Sequence, residues 1–129
     1  MAHLVRFVSP RNAQVVEVEE EPLGEGQVSI STLYSGISAG TELTAYRGSN
    51  PYLNSEWDPE RRLFVPGSTS RSYPLDAWGY EEVGRITAVG PGVPDDAVGK
   101  LVWGTWGHRS HSVKPAEYAL ARTDRKSVV

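Results

Sequence analysis

The chain is 129 residues long, enough for one domain that buries roughly two thirds of its unfolded surface without a metal or disulfide to support it. Its formal charge of −3 is spread along the sequence with no basic cluster, which argues against nucleic acid as a partner, and the absence of cysteine excludes disulfides, iron–sulfur clusters and thiolate zinc sites. No apolar run approaches the ~20 residues a bilayer requires, so a cytoplasmic protein with no membrane partner is expected.

Thirteen glycines and nine prolines, with Val, Ile, Thr and Tyr in place of long Ala, Leu, Glu and Lys runs, predict a mainly β domain. Residues 4–8 and 15–19 are short β-type runs separated by the turn former Pro10-Arg11-Asn12, a hairpin or a pair of neighbouring strands. After the turn Pro22-Leu23-Gly24-Glu25-Gly26, residues 27–34 alternate apolar and polar with period two, the pattern of a half-buried strand. Gly36, Ala39 and Gly40 then make a flexible elbow, and residues 41–46 begin a short helix with Thr41 near its cap. Residues 49–78, rich in Pro, Ser, Asn, Arg and aromatics, are expected to be irregular. Residues 80–89 form a strand interrupted at Gly84 and closed by the turn Gly90-Pro91-Gly92-Val93-Pro94. Residues 100–106 and 111–113 are further strands, followed by residues 118–121. The final six residues, Asp124-Arg125-Lys126-Ser127-Val128-Val129, match what a common short-read sequencing adapter encodes before a stop codon, so 124–129 are expected to be a non-native tail.

Three stretches carry a family likeness. The first runs from Gly24-Glu25-Gly26-Gln27-Val28 to the elbow Ser35-Gly36-Ile37-Ser38-Ala39-Gly40-Thr41-Glu42. The second is Gly79-Tyr80-Glu81-Glu82-Val83-Gly84, continuing to Val89-Gly90-Pro91-Gly92-Val93, and the third is Val98-Gly99-Lys100-Leu101-Val102 with its return to Glu117-Tyr118-Ala119. In this order they resemble the N-terminal catalytic domain of the medium-chain dehydrogenase/reductase superfamily, the zinc-type alcohol dehydrogenases and quinone reductases. The resemblance implies a GroES-like, partly open β-barrel with one or two short helices over residues 1–123. It also implies a substrate-side domain that moves hydride to or from a small alcohol, carbonyl or quinone-like molecule. NAD(P) would be held by a Rossmann domain absent from this chain, in a full-length protein that is expected to pair as a homodimer. No Gly-x-Gly-x-x-Gly turn occurs here, and the cofactor-binding residues are unknown. The 129-residue chain is therefore not expected to turn over by itself.

In that family the elbow supplies a zinc-binding Cys and the Gly-His-Glu stretch a zinc-binding His. The matching positions here are Ala39 and Tyr80, and of the usual set only Glu81 survives. A methyl group binds no metal and a phenol is a poor ligand near neutrality, so zinc is not expected and no metal residues are assigned. Thr41 matches the family's proton-passing hydroxyl, while its neighbour Glu42 is expected to be a solvated first-turn carboxylate. Tyr80 is a candidate hydrogen-bond donor to a carbonyl oxygen, with the half-buried strand tyrosine as the plainer reading; Glu81 would orient it or pair with Arg85. Thr41, Tyr80 and Glu81 are thus the candidate catalytic residues.

Tyr46, Trp57 and His108 are the candidate substrate-binding residues, His108 facing substrate or solvent. Tyr46 and Trp57, with Trp78, Trp103 and Trp106, would form an aromatic wall. Arg61, Arg62 and Arg71 suit a solvated loop better than an acidic substrate. His108 and His111 with Glu81 would make a two-histidine, one-carboxylate metal site, but a spacing of three on a strand sends the two rings to opposite faces. The alternative to an oxidoreductase is a stand-alone, co-chaperonin-like binding module, with residues 49–78 as its mobile loop.

Overall fold

A computed structural model describes residues 1–66 and 72–123. The adapter-like tail and Arg71 lie outside the described residues. Strands β1 (Ala2–Ser9) and β2 (Asn12–Val18) form the first hairpin as expected. Its reversal is held from outside: Arg11, at φ 62°, donates its backbone N–H to the carbonyl of Tyr46.

Strand β3 (Gln27–Gly36) is the spine of a four-stranded antiparallel sheet. It pairs with β6 (Glu81–Val89) on one side and β8 (His111–Pro115) on the other, and β7 (Leu101–Gly104) extends the sheet beyond β6. The period-two pattern is realised: Val28, Ile30, Ile86 and Val102 point inward and pack with Ala97, Trp106 and Ala119. On the outer face Tyr34, Val83 and Trp103 fall in register as an exposed apolar row, with the Arg122 guanidinium over the Trp103 ring.

The pairing slips by one residue between Thr32 and Tyr34. Strict alternation would send Thr32 and Ser35 to opposite faces; the extra residue Leu33 lets both face inward. There Thr32 Oγ1 accepts from Trp106 Nε1 at 2.9 Å, and Ser35 Oγ donates to Glu82 at 3.2 Å. The segment 107–110 then stitches the first hairpin to the sheet, with Val5 N–H on the His108 carbonyl, Ser110 N–H on His3 and Thr32 N–H on Ser110. The result is an incompletely closed, mainly β barrel, as the sequence led us to expect.

A second apolar cluster, centred on Phe7, Ala45 and Leu75, joins β1 to helix α1 (Ala39–Arg47) and to residues 72–80. Phe7 and Leu75 exchange backbone hydrogen bonds, and beside them Arg6 makes a two-pronged bond to Asp76 at 2.7 and 2.9 Å. That fork, with the guanidinium charge, holds the Asp76 carboxyl below its ordinary range against a smaller opposing effect of burial; Arg109 adds to the lowering.

Three expectations are corrected. Residues 49–78 are not wholly irregular: they contain a helical turn α2 (Pro51–Asn54), capped by Asn50, and a hairpin of β4 (Ser55–Asp58) and β5 (Leu63–Pro66). Residues 118–121 are not strand; Pro115 opens a helix, α3 (Ala116–Leu120), that buries Ala119. Gly84 does not interrupt β6. Its missing Cβ is what admits Ile30, since an added carbon would stand 2.5 Å from Ile30 Cγ2. Among the described residues no helix is long and apolar enough to cross a membrane.

Ile30→Ala is expected to destabilise the chain by about 2–5 kcal/mol, read as a lowered denaturant midpoint at unchanged slope. For Asp76, the folded carboxyl gives up its proton more readily than the unfolded one. Its stabilisation is therefore present above the usual value of 3.8 and lost as pH falls through the lower folded value. Asp76→Asn should thus be less stable than the parent near neutrality, with the gap closing as both are unfolded at progressively lower pH.

Candidate active site

Helix α1 starts directly after β3 because the elbow turns at Ser38, the extended N-cap residue. Thr41 is not the cap: it sits inside the first turn, exposed, with its carbonyl accepting from Thr44 Oγ1. The group that satisfies the helix start is Glu42, whose Oε2 accepts the Ser38 N–H at 2.8 Å. Glu42 is not solvated either, being only 4% exposed.

The other oxygen of Glu42 meets His108 Nε2, and the opposite ring nitrogen, Nδ1, meets Ser35 Oγ. Ser35 in turn reaches Glu82 Oε2. Glu82 is 1% exposed and fully engaged: Oε1 accepts the N–H groups of Trp106 and Gly107 at 2.8 Å each, and Oε2 also accepts that of Glu81 at 3.0 Å. A relay of Glu42, His108, Ser35 and Glu82 thus links α1 to β6 through the barrel wall. The His108 ring lies flat against Gly79, a position at φ 108° where an added Cβ would stand 2.8 Å from the imidazole.

Beside the relay is a cavity of about 440 Å³. Val5, Phe7, Ile37, Leu43 and Tyr46 give it apolar walls, and Ser35, Glu42 and His108 are its polar lining. Tyr46 is set by an edge-on contact with Phe7, the ring centres 6.1 Å apart. Such a space suits a small molecule with an apolar body and one oxygen-bearing end.

Of the residues singled out from the sequence, Tyr46 and His108 line this cavity. Trp57 does not; it packs on Phe64 in the β4–β5 hairpin and borders a separate depression with Glu56, Asp58 and Pro59. Thr41, Tyr80 and Glu81 are exposed outside the cavity lining, Tyr80 immediately ahead of β6 and not half-buried within it. The pairing of Gly36 with Glu81 sets the elbow beside the Gly-Tyr-Glu stretch. Arg85 donates to the carbonyl of Gly99, not to Glu81. The aromatic wall is dispersed: Trp106 is core, Trp78 belongs to the second cluster, and Trp103 is on the outer face. Arg61 lies 3.6 Å from Asp58 and is exposed.

The zinc position does not fit zinc. Its donors would be the Ala39 methyl and the Tyr80 phenol, and among the described residues no three His, Asp or Glu side chains converge. His111 contacts Ser110 Oγ and lies 3.8 Å from Glu20, apart from the relay. Sequence reasoning missed Ser35 and Glu82. Alternation offered a signal for the latter: with Glu81 and Glu82 adjacent on one strand, one of them must face inward.

No family model matches the chain. It is 28% identical over 100 residues to D-guloside 3-dehydrogenase of Escherichia coli strain K12, a match covering 74% of this chain and 29% of that enzyme. The rspB alcohol dehydrogenase of Escherichia coli CFT073, complexed with NADH, superposes with a TM-score of 0.67 at 20% identity, over 99% of this chain and 40% of that one. A quinone oxidoreductase of Pseudomonas syringae gives 0.60 at 20% identity over 100% and 35%, and 2R,3R-butanediol dehydrogenase of Bacillus subtilis gives 0.62 at 18% over 92% and 39%. The chain has the fold of the matched part of these alcohol dehydrogenases and quinone oxidoreductases. It spans under a third of its curated relative's length and about two fifths of the solved alcohol dehydrogenases. Within this fold the relay's ionisable groups with little access to water are Glu42, at the end of the elbow, with His108 and Glu82.

Gly79→Ala should destabilise the chain by about 1–3 kcal/mol, because it strains the backbone and pushes the imidazole away. Thermal unfolding measures the cost, and loss of the His108–Glu42 contact would show in the ring proton spectrum.

Proposed function

We propose that residues 1–123 are the substrate-side domain of a nicotinamide-dependent oxidoreductase that interconverts a small alcohol and its carbonyl, or reduces a quinone-like molecule, without zinc. The observation that carries this reading is the coincidence of two things. One is a chain with the fold of dehydrogenase catalytic domains; the other is a largely apolar cavity whose lining includes a serine hydroxyl, an imidazole, a carboxylate and the Tyr46 phenol. A bound NAD(P) supplies or accepts the hydride, and it is assigned to a Rossmann domain outside these residues.

In this reading the chain's own residues bind, orient and handle the proton. Val5, Phe7 and Tyr46 hold the apolar body of the substrate, and His108 with Ser35 addresses its oxygen. Thr41, Tyr80 and Glu81 stand on the exposed side by the elbow, outside the cavity lining, and take part only with a substrate long enough to extend out of the cavity to that side. Trp57 contributes only if its hairpin closes toward that side.

The test is a chimera joined after Thr123 to the remaining part of the E. coli D-guloside 3-dehydrogenase, compared with the 129-residue chain. The chimera is expected to bind NAD(P) by calorimetry and to reduce members of an aldehyde, ketone and quinone panel, whereas the short chain does neither. A folded, cofactor-binding chimera that reduces nothing would overturn the reading, as would turnover by the short chain alone.

A further inference from the structure

The hydrogens in the relay can be counted. Glu42 meets His108, His108 meets Ser35, and Ser35 meets Glu82. Each contact needs one hydrogen, since two facing acceptors repel. A neutral imidazole and a serine hydroxyl bring two, so a third must reside on a carboxyl or on the ring. Glu82 accepts three backbone N–H groups in addition to Ser35, a donor set that fills the roughly four lone-pair sites of an ionised carboxylate. Glu42 accepts the Ser38 N–H on one oxygen and faces the ring with the other. Of the two groups facing each other across that contact the imidazole is the stronger base, about 6.5 against about 4.3 for a carboxylate, so the third hydrogen is placed on His108, whose two nitrogens then donate to Glu42 and to Ser35. Two carboxylates and one imidazolium leave a single net negative charge, half of what a neutral ring would leave in this buried place, where desolvation penalises each uncompensated charge.

Other ionisable groups near the ring do not displace this count. Tyr46 shares the cavity from α1, His3 borders the neighbouring depression from β1, and Arg109 is turned to the Asp76 carbonyl and toward Glu21. Asp76 is engaged by Arg6.

We propose that this loaded relay is a proton-donating site: Ser35, backed by His108, gives a proton to the oxygen of a carbonyl compound whose apolar body fills the neighbouring cavity. As the carbonyl π pair moves onto oxygen, the O–H bond of Ser35 breaks and a new one forms on the substrate. Ser35 regains its hydrogen from Nδ1 of His108, and the relay, now carrying two net negative charges, takes one proton back from water. The hydride at carbon comes from a reductant of the nicotinamide class. This use of the proton rests on the oxidoreductase reading; the two-hydrogen ring does not.

The decisive measurement is the imidazole spectrum of the ¹⁵N-labelled 129-residue chain at neutral pH. Hydrogens on both nitrogens of His108 are expected, with Ser35→Ala losing the Nδ1 signal and Ser35→Thr keeping it. Cyclohexanone should shift the His108 ring signals, and methylenecyclohexane, alike in shape but lacking oxygen, should leave them in place. A His108 nitrogen with a bare lone pair in the parent protein overturns the proposal, and so does a ring that ignores the ketone. Should Ser35→Ala fail to fold, the parent spectrum and the ketone titration still decide. A chimera that binds cofactor yet reduces nothing would defeat the enzymatic reading alone and leave the two-hydrogen ring standing.

Discussion

The burial of the Glu82 carboxylate is the constraint on which the rest of the site depends. An ionised carboxylate removed from water is tolerated only where donors meet its lone pairs, and here they come from three separate stretches of chain. Ser35 arrives from the far end of β3, the Glu81 amide from the start of β6, and the Trp106 and Gly107 amides from the link after β7. Fixing that link fixes His108, the next residue, whose amide bonds the Trp78 carbonyl and whose carbonyl accepts from Val5. The bulge at Leu33 serves the same end, because without it Ser35 would face away.

At the elbow the Ala39 methyl and, beside it, the Tyr80 phenol stand at the surface, whereas Glu42, at the elbow's end, His108 and Glu82 have little access to water. Glu42 shows how one side chain connects two levels of organisation. Its reach to the Ser38 amide is an ordinary helix-start interaction, yet the same geometry carries its second oxygen to the imidazole. A helix terminus and a polar relay are built from one carboxylate.

Much of the fold was legible in the sequence because it rests on short-range periodicity. The alternation in residues 27–34, the turn at Pro10-Arg11-Asn12 and the Gly90-Pro91-Gly92 turn each specify local structure that the folded chain retains. The β4–β5 hairpin was not legible, since strands of four residues show no convincing period and the turn between them is rich in polar residues. The site was half legible. Tyr46 and His108, candidate substrate-binding residues from the sequence, line the cavity, but the partners of His108 come from 66 and 73 residues away in sequence. No spacing rule reaches so far. Glu42 was misjudged for a related reason: helix periodicity shows which residues share a face, not what covers that face.

Among the described residues the small β4–β5 hairpin packs on α2, where Tyr52 stands edge-on against Phe64 with ring centres 5.2 Å apart. A two-stranded ribbon is marginal by itself. Its amide hydrogens are then expected to exchange with solvent deuterium as a unit of their own, before those of β3. Changes of length or composition in that ribbon would then accumulate across a lineage at little cost to the imidazole and carboxylates below it.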